Sequence, residues 1–367
     1  MDAFWLTHGK LITPRGIVGG AVKISRGRIA AIQPKAPRGA ATLSMRGGYV
    51  APGFIDLHVW GDPAIVAHEA VRHGTTSFLT SLGPDAPRTL LKAVRARAAQ
   101  GRCLGIHLEG PFLNPARGGA LPKRRMRRPT VAELSRLAQA AGGALKLITV
   151  APELDGAAEA IRWCAQHRIT VSLGHSQATA ADALHAIDAG ASTVTHIFNG
   201  MAPFHHREPG LLDVALTDPR LTAMVILDGV HVSAYAFRLL VRAKGPGGVA
   251  LVTDSIRHEG WTVTRRRGAY YLPAPRAARQ AGTANWVLAG SGLTMMRAVR
   301  NAVIAGGVAL ADAVRMASET PARVLGLRDR GALALGRRAD LVIFDRRFSV
   351  QMTMIGGKLV YERGTSG

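Results

Sequence analysis

Histidines and carboxylates follow the ends of several strand-like runs in this chain of 367 residues. The set comprises Asp56, His58, His107, Glu109, His175, His196 and Asp254. Glu109, His175 and His196 offer one oxygen and two nitrogen ligands, which suit a zinc-like divalent ion and leave a coordination position open for water. Such an ion would lower the pKa of the water, and Asp254 is suited to take its proton and return it to a leaving group. The pattern therefore predicts metal-dependent hydrolysis.

Each of these residues, taken alone, has a structural explanation as well. A buried histidine at a strand end, such as His107, is commonly a hydrogen-bonded structural residue. Asp56 or Asp254 could equally cap the segment that follows it. The functional interpretation depends on the whole set, because five strand ends contribute to it in chain order. We therefore expect a metal site rather than a series of unrelated structural residues.

The repeating order of strands and helices explains how these residues meet. In the stretch 169–196, one apolar run precedes His175, a helical pattern follows, and a second apolar run precedes His196. Eight such runs predict a (β/α)8 TIM-like barrel, an α/β fold whose strands all end on the face that carries the chemistry. A doubly wound sheet is the alternative, but no glycine-rich phosphate turn follows an early strand. The predicted strands are 53–58, 75–80, 104–109, 145–150, 169–173, 192–195, 222–227 and 249–253, and the predicted helices are 64–73, 86–99, 131–141, 155–167, 179–189, 233–243, 293–305 and 310–317.

The two ends of the chain have a different pattern. Residues 1–50 and 331–367 alternate apolar and polar positions between glycine and proline breaks, which is typical of short strands. We expect these two segments to pair with each other in one small β-sandwich domain. Residues 51–330 would then form the barrel.

Composition limits the classes of partner. The formal net charge is +23, with basic runs at 123–128, 265–267, 337–338 and 346–347. These runs are dispersed and lack the interleaved aromatic residues of a single-strand binder, so we expect no nucleic-acid partner. No uncharged apolar run is long enough to span a bilayer, so we expect no membrane partner. Cys103 and Cys164 are the only cysteines, which argues against a disulfide framework and favours a cytoplasmic location.

The motifs around these residues resemble the amidohydrolase superfamily and, within it, the N-acetylglucosamine-6-phosphate deacetylases. In chain order the motifs are APGFIDLHVWG, HLEGPFLN, APE, LGHSQAT, THIFNGM, HHREPGL, LDGVHV, LVTDS, LAGSGLTM and GRRADLVIFD. The combination of HLEGP, GHS, THxxNxM and REPG is specific to the deacetylases, whereas FIDLH and ADLVIFD mark only the superfamily. The resemblance covers most of the chain.

This resemblance implies a metal-dependent deacetylation of N-acetylglucosamine 6-phosphate to glucosamine 6-phosphate and acetate, with a metal-activated water as nucleophile. It implies one divalent ion per chain, with Zn as first choice and Fe, Mn or Co as alternatives. Glu109, His175 and His196 would bind the ion. Asp254 would act as general base and then as general acid.

The resemblance also implies a set of substrate contacts. Arg207 would bind the sugar phosphate, in the family often from the neighbouring subunit of a homodimer, and its planar paired donors suit a phosphate dianion. His231 would lie near the same phosphate. The remaining contacts would come from Asn199 and Gly200 and from the turn that carries the LAGS motif, namely Leu288, Ala289, Gly290 and Ser291.

Three features depart from the family pattern. Trp60 stands where many superfamily members have a second histidine, and an indole nitrogen cannot ligate a cation, so His58 is expected to be at most a weak ligand of a second ion. Leu121 stands where the family has a histidine that helps to polarise the reacting carbonyl, and loss of one such donor costs roughly 3 to 4 kcal/mol. Residues 293–296 read LTMM in place of LTMD, and the segment 256–286 is divergent.

These departures leave two alternatives open. The first is a related amidohydrolase that acts on a different N-acylated amino sugar or acyl amine. The second is a weakly catalytic homologue that binds a sugar phosphate. Both are motivated by Leu121, and the intact set of metal ligands argues against the second.

Overall fold

The computed structural model describes residues 3–85, 102–257, 264–273 and 286–364. Within these ranges the chain forms a mixed α/β fold with two sheets, a larger one of twelve strands and a smaller one of eight. The predicted helix 86–99 lies outside the described residues, as does much of the divergent segment 256–286.

Eight strands of the larger sheet pair in parallel and follow one another in chain order, as the repeating pattern predicts. The last of them is interrupted at Thr253 and Asp254, and its continuation, Ser255–Arg257, pairs in parallel with the first strand. The sheet therefore curls until its last strand meets its first. The eight strands are Phe54–Gly61, Thr75–Leu82, Cys103–Glu109, Leu145–Val150, Thr170–Leu173, Thr193–Val194, Thr222–Ile226 and Val249–Val252.

Burial explains why these runs form strands rather than helices. Thr75–Leu82 is buried at all eight positions and Val249–Val252 at all four. Parallel strands that are covered on both faces read as nearly continuous apolar or β-branched runs, and this is the pattern of these segments. The strands and the helices packed on them share the large apolar core, so the carboxyl ends of the strands are held at one face of the sheet.

Helices connect the strands, and side-chain caps define where several of them begin. The Thr179 hydroxyl accepts the Asp182 amide at 3.3 Å and the Asp182 carboxylate accepts the Thr179 amide at 2.9 Å, which starts the helix after His175. Seven predicted helices are confirmed, and two short helices, Leu211–Thr217 and Glu319–Val324, were not predicted because each is too short to show a helical period. The described α-helices are Pro63–Ala70, Val131–Ala140, Ala157–Gln166, Ala180–Ala189, Leu211–Thr217, Ala234–Lys244, Met295–Ile304, Leu310–Ala317 and Glu319–Val324, and the 3-10 turns are Val71–His73, Pro115–Arg117, Lys123–Arg125 and Pro246–Gly248.

The two ends of the chain share the smaller sheet, as the alternation at both ends predicts. They meet where Tyr49–Pro52 pairs antiparallel with Leu341–Phe344. This sheet has its own apolar cluster, which includes Leu6, Leu11 and Ile343. Its strands are Ala3–Thr13, Gly16–Ser25, Arg28–Gln33, Thr42–Ser44, Tyr49–Pro52, Leu341–Phe344, Val350–Ile355 and Lys358–Glu362.

Three strands that are antiparallel to one another extend the larger sheet, and the last of them pairs in parallel with Ser255–Arg257. They are Thr264–Arg266, Ala269–Pro273 and Trp286–Ser291. The LAGS motif therefore lies on a strand, and the predicted turn at Leu288–Ser291 is wrong, because these residues pair with Ala269–Pro273 across a register shift. None of the helices in the described ranges has the length and apolarity needed to cross a bilayer.

Candidate metal centre and active site

The residues singled out at the strand ends meet at one face of the larger sheet. Glu109 is the last residue of its strand, and His175 and His196 each follow a strand by two residues. Asp254 lies in the interruption of the last strand, and His58 lies within the first. All five side chains are buried. The structure therefore brings these residues together, as the strand-end rule predicts.

Three of these residues have a backbone conformation that is rare outside glycine. The φ angles of His175, His196 and Asp254 are 48°, 29° and 47°. Such a conformation costs on the order of 1–3 kcal/mol per residue and persists where other contacts hold it. Here the His175 carbonyl accepts the Asn114 amide at 2.9 Å, and the Asp254 amide donates to the His58 carbonyl at 2.8 Å. The strain turns the three side chains toward a common centre.

The Glu109 carboxylate is that centre. Its Oε1 lies 2.8 Å from His175 Nε2 and 2.9 Å from His196 Nε2, and its Oε2 lies 3.6 Å from His58 Nε2. Burial raises the pKa of Glu109, but the three imidazoles lower it more, so the pKa lies well below its ordinary value. The group therefore stays an anion, as a metal ligand must.

The hydrogen bonds of His175 match those of a metal-bound imidazole. Its Nδ1 lies 2.8 Å from the Arg117 carbonyl oxygen, which can only accept, so Nδ1 carries the proton. In the neutral ring, Nε2 then presents a lone pair to a carboxylate oxygen 2.8 Å away. Two acceptors at this distance repel each other unless a cation is shared between them or Nε2 carries a second proton. Burial lowers the pKa of His175, but Glu109 and the Arg117 carbonyl raise it more, toward that protonated form. An imidazole that donates its other N–H to a carbonyl is also the usual arrangement of a metal-bound histidine.

Buried atoms without partners support the same conclusion. Among the described residues, the buried side-chain atoms without a hydrogen-bond partner are His58 Nε2, Arg117 Nε and His196 Nδ1, and His58 Nε2 lies 3.6 Å from Glu109 Oε2. His58, Glu109 and His196 each offer a ligand atom, and these three atoms lie within 4.8 Å of one another. The donor set of two or three imidazoles and one carboxylate fits a divalent transition metal, so the residues present fit the predicted ion.

His58 lies closer to this centre than the sequence indicated. It groups with Glu109 and His196, whereas the sequence assigned it only a weak role toward a second ion. Its Nδ1 lies 2.7 Å from Ser81 Oγ and 2.8 Å from His107 Nδ1. Burial lowers the pKa of His58, but the carboxylates of Glu109 and Asp254 raise it more, to about 9. His58 is thus firmly oriented and belongs to the same electrostatic cluster.

His107 is a buried, hydrogen-bonded residue, which is the structural explanation given for it above. Its Nε2 lies 2.7 Å from Thr149 Oγ1, and that hydroxyl continues to Thr195 Oγ1 at 2.8 Å. Burial lowers the pKa of His107 well below its ordinary value, so the ring is neutral. Asp56 accepts the Thr253 hydroxyl at 2.6 Å, and burial raises the pKa of Asp56 to about 6. These hydrogen bonds connect the ends of neighbouring strands beneath the centre.

Asp254 lies beside the metal centre but is held by other groups. Its Oδ1 accepts the Trp60 indole N–H at 2.9 Å and lies 3.2 Å from His58 Nε2. Among the described residues, its Oδ2 accepts no hydrogen bond. A carboxylate with one oxygen fixed and one oxygen unengaged is suited to take up and return a proton.

A cavity of about 430 Å³ opens onto this centre. It brings together most of the predicted substrate contacts with the metal and proton-transfer residues. Gly200 lies within it in a left-handed conformation, with φ 63°, where a Cβ would come within 3.0 Å of His175 Nδ1. The predicted residues that line the cavity are Glu109, His175, His196, Asn199, Gly200, His231, Asp254, Leu288, Ala289 and Gly290.

Arg207 and Ser291 are predicted substrate contacts that do not line the cavity in the described structure, and Arg207 lies on the surface. The Nη1 of Arg207 lies 2.8 Å from His206 Nε2. His231 does reach the cavity, and its Nδ1 lies 2.7 Å from Asp228 Oδ2. Burial raises the pKa of Asp228, but His231 lowers it more, so the pair is a buried carboxylate and imidazole. Of the two predicted phosphate contacts, His231 therefore lies at the cavity of the single chain and Arg207 does not.

Several lining residues were missed at the sequence level. Asp85 borders the cavity just after the second parallel strand, where the same strand-end rule would have found it. Trp60 and Leu121 line the same wall, and a Cβ on Gly83 would lie 3.6 Å from the Trp60 ring and 3.8 Å from Leu121. Two of the three departures from the family pattern thus lie on one wall of the cavity.

Glu153, from the APE motif, ties together the loops that carry the ligands. It accepts the Ser176 hydroxyl at 2.7 Å, the Gln177 amide at 2.7 Å and the Asn114 side-chain amide at 2.9 Å. These contacts hold the loop after His175 against the loop after Glu109. The motif therefore positions the metal centre without entering it.

Comparison with known proteins agrees with this site. The amidohydrolase family pattern matches residues 49–360. The chain is 34% identical to the N-acetylglucosamine-6-phosphate deacetylase of Bacillus subtilis (strain 168), covering 94% of this chain and 93% of that protein. It is 35% identical to the N-acetylgalactosamine-6-phosphate deacetylase of Escherichia coli O157:H7, covering 95% and 97%.

A solved structure shares the fold as well. It is a mutant of the N-acetyl-D-glucosamine-6-phosphate deacetylase of Mycobacterium smegmatis in complex with N-acetyl-D-glucosamine-6-phosphate. It superposes with a TM-score of 0.85 at 34% identity, covering 98% of this chain and 100% of the other. The chain belongs to the amidohydrolase family, among the N-acetylglucosamine-6-phosphate deacetylases.

Proposed function

We propose that this chain is a metal-dependent deacetylase that converts N-acetylglucosamine 6-phosphate to glucosamine 6-phosphate and acetate. The observation that carries the proposal is the convergence of Glu109, His175 and His196 beside Asp254 in a cavity of about 430 Å³. The relatives named above carry out, by their names, the deacetylation of amino-sugar 6-phosphates.

Glu109, His175 and His196 would hold one divalent ion, with His58 beside them, and we expect Zn first and Fe, Mn or Co as alternatives. Such an ion supplies an activated water molecule and polarises the amide carbonyl. Asp254 takes a proton from the water as its oxygen joins the acyl carbon. As the C–N bond breaks, Asp254 returns that proton to the amine nitrogen, so that acetate and the free amine leave.

Substrate recognition is assigned to residues around the same cavity. Asn199 and Gly200 contact the sugar beside the metal centre, and Leu288, Ala289 and Gly290 form the edge of the sugar pocket. His231 binds the phosphate. We infer a homodimer in which Arg207, exposed in the single chain, reaches the phosphate in the neighbouring subunit.

The fold, the domain boundaries and the cellular location are part of the same proposal. We infer that the curled parallel sheet is a (β/α)8 barrel spanning 51–330 and that the terminal segments 1–50 and 331–367 form a small β-sandwich. A cytoplasmic location is supported by Cys103 and Cys164, which are both buried free thiols.

The direct test is acetate release from a panel of substrates, with bound metal quantified in the same preparation. The panel contains N-acetylglucosamine 6-phosphate, N-acetylgalactosamine 6-phosphate and unphosphorylated N-acetylglucosamine. We expect phosphate-dependent turnover with about one ion per chain. Metal-loaded protein that releases no acetate from any of the three would refute the proposal.

Leu121 favours one alternative, a related enzyme for a different acyl group. An apolar side chain replaces the expected histidine on the cavity wall, so a larger or more apolar acyl group would gain a contact there. If acetyl is the true acyl group, Leu121→His should raise kcat about tenfold, a fraction of the ~10²–10³ that an oxyanion donor contributes elsewhere. If kcat falls instead, while longer N-acyl analogues are hydrolysed faster by the wild type, the alternative is correct.

His231→Gln tests the phosphate contact. We expect KM for N-acetylglucosamine 6-phosphate to rise roughly 10- to 100-fold, the usual worth of a hydrogen bond to a charged group, with a smaller change in kcat. The measurement compares KM with and without the phosphate on the sugar. Asp182→Asn, at a helix cap away from the cavity, is the control for a general loss of stability. An equal rise in KM for the unphosphorylated sugar would show that His231 does not contact the phosphate.

A further inference from the structure

The Trp60 indole touches the one carboxylate that the proposed reaction needs for proton transfer. Its Nε1 lies 2.9 Å from Asp254 Oδ1 although 194 positions separate the two residues in the chain. Both side chains line the cavity that holds the metal ligands. The contact therefore belongs to the site and not to the general packing of the sheet.

The backbone fixes where this contact can form. Asp254 is held from both sides, since its amide donates to the His58 carbonyl at 2.8 Å and its carbonyl accepts the Ser291 amide at 2.8 Å. Trp60 lies on the adjacent strand, in register with Ile256. The Trp60 ring also lies against His58 edge-on, with ring centroids 6.0 Å apart. These backbone contacts hold the two residues on adjacent strands.

The chemistry of the indole fixes the direction of this hydrogen bond. An indole nitrogen is a donor only, so it neither takes up a proton nor ligates a metal ion at any stage of the reaction. His58, which lies 3.2 Å from the same Oδ1, has two ring nitrogens that can exchange roles. Trp60 is therefore the constant donor to Oδ1, and Oδ2, which accepts no hydrogen bond from a described residue, is left for proton transfer.

We propose that Trp60 is a positioning residue that orients the Asp254 carboxylate, so that Oδ1 is engaged and Oδ2 is presented to the reacting water and the leaving amine. The inference rests on the proposed deacetylase function for its kinetic test, but not for its structural test.

The kinetic test is Trp60→Phe, which keeps an aromatic ring and removes the N–H. We expect kcat to fall about tenfold, the lower end of the value of a hydrogen bond to a charged group, while KM and bound metal stay within about twofold of wild type. In an Asp254→Ala background the same substitution should have no further effect on residual turnover, because its target is absent. Trp163→Phe is the matched control, since Trp163 stacks on His167 in a distant helix and its kcat should not change.

The structural test needs no substrate. The chain has five tryptophans, so the indole N–H region of a ¹H–¹⁵N spectrum contains few signals, and Trp60→Phe identifies the one from residue 60. In Asp254→Ala this signal should move upfield, because its carboxylate acceptor is gone, while the signal assigned with Trp163→Phe stays in place.

Three outcomes would overturn the inference: unchanged kcat in Trp60→Phe, effects that multiply in the double variant, or a Trp60 signal that ignores Asp254→Ala. If wild-type protein releases no acetate but the Trp60 signal responds to Asp254→Ala, the contact stands and the proposed function fails. The two failures are therefore distinguishable.

Discussion

Replacing Asp254 by Asn should lower kcat for acetate release by roughly 10²- to 10⁴-fold, the usual range for loss of a general acid–base group, and should leave bound metal at the wild-type level. The amide keeps the shape of the carboxylate, and its oxygen can still accept the Trp60 N–H that lies 2.9 Å from Oδ1. It cannot accept a proton from water or return one to the amine. Asp254 also lies outside the group of ligand atoms formed by His58, Glu109 and His196.

The measurement combines steady-state acetate release with metal analysis of the same sample. Asp188→Asn is the matched control, because Asp188 is an exposed carboxylate that pairs with Arg220 on the surface. The control should keep wild-type kcat. Asp254→Asn with wild-type turnover would contradict the assigned proton carrier, and a loss of metal together with turnover would show that Asp254 is a ligand instead.

Local pattern was sufficient to predict the eight parallel strands and the place where the ligands meet. Runs such as 145–150 are short, apolar and bounded by breaks, and tertiary burial on both faces reinforces the same preference. Parallel strands all end on one face, so Glu109, His175 and His196 could be placed together without knowledge of their distances. The terminal sheet followed from strand alternation at both ends of the chain.

The remaining features depend on register and on contacts between distant segments. The closeness of His58 to Glu109 depends on how the first and third parallel strands align, with His107 and Ser81 orienting the ring. The contact between Trp60 and Asp254 arises only because the last strand breaks and resumes beside the first. The family resemblance implied a turn at the LAGS motif, but the φ of 149° at Gly290 is accommodated within a strand at an irregular pairing. The sequence alone could not show that Arg207 lies outside the cavity.

Replacing Glu109 by Gln should remove both bound metal and turnover, which separates it from the Asp254 variant. Glu109 is the only carboxylate in the predicted ligand set, and its Oε1 is the point on which two imidazole nitrogens converge at 2.8 and 2.9 Å. A neutral amide supplies no negative charge and can turn an N–H toward the imidazoles. Loss of an outer-shell partner already weakens metal affinity roughly 10- to 100-fold, and we expect the loss of this ligand to exceed that range.

Two measurements check this result, and only one depends on activity. Metal retained after dialysis against a chelator should fall from about one ion per chain toward none, and added Zn should raise the Tm of the wild type but not of Glu109→Gln, because a ligand that binds the native state stabilises it. Glu159→Gln, an exposed position on the helix Ala157–Gln166, is the control and should respond to Zn as the wild type does. Wild-type metal content in Glu109→Gln would mean that the imidazoles alone hold the ion, and His58, with its Nε2 3.6 Å from Glu109 Oε2, would then be the third ligand.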